Sequence, residues 1–341
     1  MVYKIIVAGR LEFGSEKTFK KVLDMYNSRV ENFYKFDLLF REEVFDHENF
    51  YLNIPRLVKH SDEKSWNNTI KLLSYLSEYS ISGSVMMWKI DDSSSKKKIT
   101  HELIEPKTDK VAVKSFLKGR ELVDQEGKED EAIKALSKAI EKYERHSLAY
   151  ERRGLVNYKF KNYQDAIYDF SKSIDLNPNN PQAYYGRARV KMILKDLEAA
   201  AKDLGMAVKT SIPLQAIHNK ARKEKAELLL KLGQPEKAEF DLKFLSNRKV
   251  EETDPFFPHQ KAVRYAYGKV LLELEKPVEA ISVFETVMAM EDGKTTIKKA
   301  DLLLHYGVAL QQSGKKGFKK NWKNAAELGS KKAKDLLLEF A

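Results

Sequence analysis

From about residue 111 the chain repeats itself every 34 residues, and this period constrains the fold more than any other feature. The clearest unit, AYERRGLVNYKFKNYQDAIYDFSKSIDLNP, spans residues 149–178. Tyr150 and Phe170 are large enough to fill the space between two helices. Gly154 and Ala166 are small enough to let the two backbones cross closely, and Pro178 stops the second helix. A shift of 34 residues toward the N-terminus gives Phe116, Arg120, Ala132, Leu136 and Ala139; the same shift the other way gives Tyr184, Ala188, Ala200, Leu204 and Ala207. A fourth unit, displaced by four residues, uses Arg222, Ala226, Ala238, Leu242 and Leu245. A fifth, displaced by a further eight, uses Arg264, Gly268, Ala280, Phe284 and Val287. Arg222 and Arg264 stand where an aromatic residue is expected. A sixth has Leu303 and Gly307, then Phe318 and Trp322 one residue early. The spacing predicts six helix pairs over residues 111–341, closed by a terminal helix over KKAKDLLLEF.

These columns resemble the tetratricopeptide repeat, and the resemblance covers about two-thirds of the chain. It implies an all-α superhelical solenoid, a tetratricopeptide (TPR) array in which the first helix of each pair lines a concave groove for an extended or helical peptide. The groove positions of that family fall one, two and five residues after the first-helix marker. Here they are Glu151, Arg152 and Leu155; Tyr185 and Arg189; Lys223 and Glu227; Tyr265 and Lys269; and Leu304, His305 and Val308, with Lys220 at the same rim. Arg152, Tyr185, Arg189, Lys220, Lys223, Tyr265, Lys269 and His305 form the partner-binding set this implies. Arginine and tyrosine commonly supply binding hot spots, and the mixture favours an acidic, partly apolar ligand. Co-chaperones that grip the C-terminal Glu-Glu-Val-Asp tail of heat-shock chaperones use a Lys and an Asn, an Asn, and a Lys and an Arg in three successive units. The matching positions here are Leu117 and Glu121, Arg152, and Gln182 and Gly186, which argues against that mode. Two longer connections, SNRKVEETDPFFPHQ and MEDGKTTI, separate the late units, and Phe256 and Phe257 in the first are expected to pack over the repeats.

The region before the repeats, residues 1–106, reads as an α+β sandwich. The opening KIIVAGRLEFGSEKTFKKVL superficially suggests a phosphate-binding loop between Gly9 and Gly14. Two residues, Ser15 and Glu16, separate Gly14 from Lys17, which moves the ammonium along the helix and sets a carboxylate where phosphate would sit. The period-two alternation of Tyr3, Ile5, Val7, Gly9, Leu11 and Phe13 runs straight through the supposed loop. The stretch is therefore a strand, a Gly14 turn and a helix capped by Ser15. Phe19, Val22, Leu23, Tyr26, Val30 and Phe33 predict that helix. Phe36, Leu38 and Phe40 predict a second strand, DHEN a turn, and NFYLNIP a third strand ending at Pro55. Trp66, Ile70, Leu73 and Leu76 give a second helix; SVMMWKI and ITHELIE give two strands joined by DDSSSKKK. The order β-α-β-β-α-β-β suggests a ferredoxin-like sandwich with one added strand. RNA-recognition motifs share that order, but the third strand lacks their Gly-Phe-rich run, so Phe50 and Tyr51 are expected in core and cross-strand roles. EPKTDK, over residues 105–110, marks the expected boundary between two independently folding parts, 1–106 and 111–341.

Charge separates the same two parts. Residues 1–106 carry 16 basic and 16 acidic residues, so the whole net charge of +11 lies beyond them, with +7 from residue 294 onward. An acidic partner is the natural expectation, with nucleic acid bound through the basic repeats as the alternative. Cysteine is absent, which excludes disulfides, thiolate nucleophiles and cysteine-ligated metals. The seven histidines show no metal-ligand spacing, and neither G-x-S-x-G nor G-x-G-x-x-G occurs. A non-enzymatic adaptor without metal or cofactor is expected. With no membrane-length apolar run and no signal-peptide pattern, a cytoplasmic location is expected.

Overall fold

The computed structural model describes every residue except 36, 92, 94–97, 253, 292–296 and 341. The chain divides into two compact units, Met1–Gly186 and Arg187–Ala341.

The first unit begins with β1 (Tyr3–Glu12), α1 (Glu16–Arg29), a π-helical turn (Val30–Tyr34), β2 (Phe45–Asp46), β3 (Tyr51–Ser61), α2 (Glu63–Ser77), β4 (Ser82–Asp91) and β5 (Lys98–Ile104). The five strands form one antiparallel sheet in the order β2-β3-β1-β4-β5. Val7 and Leu11 of β1 and Val85 and Met87 of β4 face Phe19 and Val22 of α1 and Leu72, Leu73 and Leu76 of α2 in one apolar core. As the sequence predicts, the opening stretch is strand and capped helix: Ser15 Oγ accepts from the Thr18 N–H at 3.3 Å. Gly9 is fixed by close approach, because a Cβ there would lie 2.2 Å from the Ser84 carbonyl oxygen.

Three details depart from the sequence reading. No strand forms over 37–40 among the described residues, and Phe36 lies outside them. Leu39 and Phe40 instead plug the core, and the edge strand β2 is only two residues long. Phe33, expected on the buried stripe, is 71% exposed, because the π-helical turn ending α1 breaks the 3.6-residue period. β3 runs past Pro55 to Ser61, since the β1–β3 register jumps between Val7 and Gly9. The missing proline N–H falls in that bulge and costs the ladder nothing.

Four helices continue the first unit: α3 (Val111–Leu122), α4 (Glu129–Lys142), α5 (Ser147–Lys159) and α6 (Tyr163–Leu176); its end falls within α7 (Pro181–Ile193). The sheet and these helices share one polar seam across the expected 105–110 boundary. Arg120 clasps Glu105 at 2.6 and 2.9 Å, and Lys110 Nζ donates to the Tyr79 carbonyl at 2.6 Å. Arg10 donates to the Leu176 carbonyl at 2.8 Å while lying 4.1 Å from the centre of the Tyr51 ring. His146 Nδ1 caps α5 by accepting from the Ala149 N–H at 3.2 Å and meets Ser82 Oγ at 3.1 Å. The change from strands to helices therefore coincides with residues 105–110, whereas the compact unit runs on to Gly186.

The second unit holds the rest of α7, then α8 (Leu197–Thr210), α9 (Ala216–Lys231), α10 (Pro235–Asn247), α11 (Gln260–Glu273), α12 (Pro277–Ala289), α13 (Lys299–Gln312), α14 (Phe318–Glu327) and α15 (Lys331–Glu339). Among the described residues, the helices from α3 onward make the six pairs and terminal helix that the period predicts. Gly268 permits the α11–α12 crossing, because a Cβ there would lie 2.6 Å from the Phe284 ring. Trp322 fills the last pair and donates its indole N–H to the Leu304 carbonyl at 3.3 Å. Phe256 is buried against the α10–α12 core as expected, whereas Phe257 is 39% exposed. Most of the MEDGKTTI connection lies outside the described residues, as does most of the DDSSSKKK connection between β4 and β5.

Candidate functional site

Each helix pair must bury one apolar stripe and leave the outer face of its first helix in water, so the first helices are the natural display surface. In the second unit these are α9, α11 and α13. Tyr265 and Lys269 lie one turn apart on α11, and Lys269 Nζ sits 5.4 Å from the Tyr265 ring centre. His305 comes from α13. Its Nδ1 is 2.9 Å from the Tyr265 hydroxyl and 2.6 Å from the Asp301 carbonyl, which can only accept, so the proton sits on Nδ1. The rings of Tyr265 and His305 meet edge to face at 5.6 Å.

The electrostatics of this cluster follow from partial burial. Burial, with a smaller push from the Asp301 carboxylate, raises the Tyr265 phenol and keeps it neutral. Burial also lowers the His305 pKa, and the nearby Lys269 and Lys332 ammonium groups lower it further against the opposing Asp301 contacts. Near neutral pH the site presents a neutral imidazole and phenol beside lysine charges.

The other sequence-predicted residues are dispersed. Lys223 on α9 pairs with Glu227 of its own helix at 3.0 Å, and Lys220 is exposed nearby. Arg189 on α7 is half-buried in the second unit, and Tyr185 on the same helix is half-buried in the first. Arg152 on α5 also belongs to the first unit, where it lies 3.3 Å from Glu151. Glu151, expected in the groove, is 4% exposed, and burial raises its pKa against the pull of Arg152. Leu304 likewise turns inward and is buried. The structure thus gathers Tyr265, Lys269 and His305 into one cluster and commits Arg152 and Lys223 to neighbours on their own helices.

Sequence reasoning missed a recurring ion pair between the two helices of a pair. Asp169, Asp203 and Asp241 are buried on α6, α8 and α10. Arg153 holds Asp169 through two hydrogen bonds of 3.0 and 2.8 Å. Arg187 holds Asp203 at 2.9 and 2.8 Å, with Lys191 added at 2.7 Å. Arg222 and Lys225 share Asp241. The signal was present: both partners recur at 34 residues and shift by four together in the next unit. Arg222 also explains its own place in the aromatic column, since its guanidinium lies 4.1 Å from the Phe244 ring centre.

Residues 116–181 match the tetratricopeptide repeat family model. Hsc70-interacting proteins 1 and 2 of Drosophila melanogaster are each 33% identical over 113 residues, which is 33% of this chain and only 28% of either relative. Among solved structures, YrrB, described as a TPR protein with an unusual peptide-binding site, is 20% identical over 58% of this chain and 93% of its own, with a TM-score of 0.47. A tetratricopeptide repeat protein from Parabacteroides merdae covers 94% of this chain at 15% identity and a TM-score of 0.38. With the repeat columns and the helix pairs, the family match over residues 116–181 shows that this chain contains tetratricopeptide repeats, preceded by an N-terminal α+β region. Proteins of that class mediate protein–protein interaction. Among the described residues, no group of His, Asp or Glu could hold a metal ion, and no helix is long and apolar enough to cross a membrane.

Proposed function

We propose that the chain is a non-enzymatic adaptor whose second unit holds an acidic, partly apolar protein segment along α9, α11 and α13. The observation that carries this reading is the Tyr265–Lys269–His305 cluster, where two successive first helices join an aromatic face, a cation and a neutral imidazole. The ammonium draws a carboxylate in, and the rings contribute buried area and residence time. Arg189, Lys220 and Lys223 extend the basic character along α7 and α9. The names of the Drosophila relatives support a protein partner. The residues at Leu117, Glu121, Arg152, Gln182 and Gly186 disfavour recognition of a Glu-Glu-Val-Asp tail.

The test is selection of a random-peptide display library on the full chain, followed by fluorescence anisotropy of the enriched sequences. Enriched peptides are expected to combine Asp or Glu with a large apolar residue. Lys269→Glu and Tyr265→Ala should each weaken them about tenfold or more, with helical circular dichroism unchanged. Enrichment without acidic residues, or affinities indifferent to both substitutions, overturns the reading. Steeply salt-dependent RNA binding lost in the same variants would favour the nucleic-acid alternative instead.

A further inference from the structure

β5 is an edge of the five-stranded sheet, paired on one side with β4. Among the described residues, its backbone makes no hydrogen bond to any other element, so its outer edge is a free template for another strand. The ladder sets Ile99 opposite Ile90, His101 opposite Trp88 and Leu103 opposite Met86, which places all three on the sheet face away from the helix-packed core of Val85 and Met87. Ile99 is 47% and Leu103 45% exposed, so the strand presents two aliphatic side chains on one face beside unpaired peptide groups. Proteins ordinarily blunt such an edge with proline, a bulge or charges. Here the aliphatic pair is spaced symmetrically about His101.

We propose that β5 is a self-association edge: two copies of the chain pair their β5 strands antiparallel about a two-fold axis at His101, joining two sheets into one. In this register Ile99 of each copy faces Leu103 of the other, so the apolar contact is made twice, as an isologous interface requires. On the opposite face Thr100 meets Glu102, and Lys98 stands diagonal to Glu102. Shifting the pairing by two residues one way sets Glu102 against itself; shifting it the other way stacks Ile99 on His101 and leaves Leu103 beyond the strand. The chemistry of KITHELI therefore selects the centred register. A seven-residue strand pair is a small interface, so the dimer is concentration-dependent rather than obligate.

Sedimentation velocity of the full chain tests the proposal. The wild type should show reversible dimerisation. I99K and L103E should each weaken it about tenfold, because each change removes both copies of the aliphatic pair. Both sites are exposed, so far-ultraviolet circular dichroism and melting temperature should match the wild type. Mixing the I99K and L103E proteins should produce a heterodimer tighter than either variant alone, since lysine then faces glutamate at one pair while the other pair stays aliphatic. A chain monomeric at every concentration, a dimer indifferent to both changes, or a mixture no tighter than its components overturns the proposal.

Discussion

In the first unit, Glu12, His146, Glu151 and Asp169 are all buried, and the cations near them are bound to carboxylates or carbonyl groups. In the second unit, Lys223, Tyr265, Lys269 and His305 are only half-buried and stand on successive first helices. Both regions lock their helix pairs with buried aspartates, Asp169 in the first and Asp203 and Asp241 in the second, and the second unit in addition displays half-buried cations and rings on its first helices. A basic residue in a repeat column is therefore no marker of binding until its burial and its partner are known. Arg152 and Arg153 make the point within one helix. Arg152 borders Glu151, while Arg153 reaches inward to Asp169 and to Ser137 at 2.9 Å.

The strongest way to break this contrast is to remove Arg153. Asp169 would remain buried without its counter-ion, and stranding a buried charge costs about 3 kcal/mol. Arg153→Ala is expected to lower the urea midpoint of the first unit by a corresponding amount, whereas Arg152→Ala, which removes a single 3.3 Å contact to Glu151 rather than two hydrogen bonds, should cost less. Equal losses from the two neighbours would erase the distinction between locked and displayed charge.

The next test uses pH. His146 is enclosed, its Nε2 has no hydrogen-bond partner among the described residues, and burial pushes its pKa down to about 3. The folded state refuses a proton that the unfolded histidine accepts near its usual value of about 6.5. Stability from this group is therefore full above about pH 6.5 and falls by about 1.4 kcal/mol per unit as pH drops toward 3. Glu12 and Glu151 act in the opposite sense: burial raises both pKa values despite Arg10 and Arg152, so acid relieves them. His146→Asn keeps an α5 cap and cannot titrate. Urea melts from pH 7 to 4 should show wild type losing stability relative to this variant, with the carboxylate contributions cancelling in the difference. A constant difference across that range would mean that His146 is not held neutral by burial.

The repeat was legible because its signal is redundant: five columns recur at one spacing, so helix existence, pairing and number could be read from Tyr150, Gly154, Ala166 and Phe170 and their echoes. The N-terminal domain was legible in element order, but β2 and the end of β3 were not. Phe36, Leu38 and Phe40 alternate like a strand, whereas the burial of Leu39 and Phe40 is decided by α1, α2 and the sheet together. Pro55 reads locally as a stop and is tolerated because β3 bulges there, with Pro55 and Arg56 opposite the single residue Ala8 of β1. Among site residues, Tyr265, Lys269 and His305 followed from repeat position. The inward turn of Glu151 and the aspartate ladder required knowing which side chains the second helix offers.

Within the displayed cluster, Tyr265→Phe separates hydrogen bonding from ring contact. The variant keeps the ring against Phe284 and His305 and loses only the hydroxyl contact to His305 Nδ1. Because His305 retains the Asp301 carbonyl, the expected stability loss is about 1 kcal/mol or less by urea titration. A loss as large as that of Arg153→Ala would make Tyr265 a locking residue and remove the centre of the proposed binding surface.

The smallest effect is expected at Lys223. Its ammonium is 3.0 Å from Glu227 one turn away on α9, and the Glu227 side chain is half exposed. Water and salt screen such a pair, and holding two long side chains together costs entropy, so Lys223→Ala should change stability by under about 0.5 kcal/mol. Binding should respond differently. If Lys223 contributes to a basic track for an acidic segment, its removal slows association and flattens the salt dependence while leaving dissociation nearly unchanged. Stopped-flow association of an enriched acidic peptide at two salt concentrations separates the cases. An unchanged association rate would confine the peptide surface to α11 and α13, and a large fall in stability would place Lys223 among the charges that hold the fold rather than those it displays.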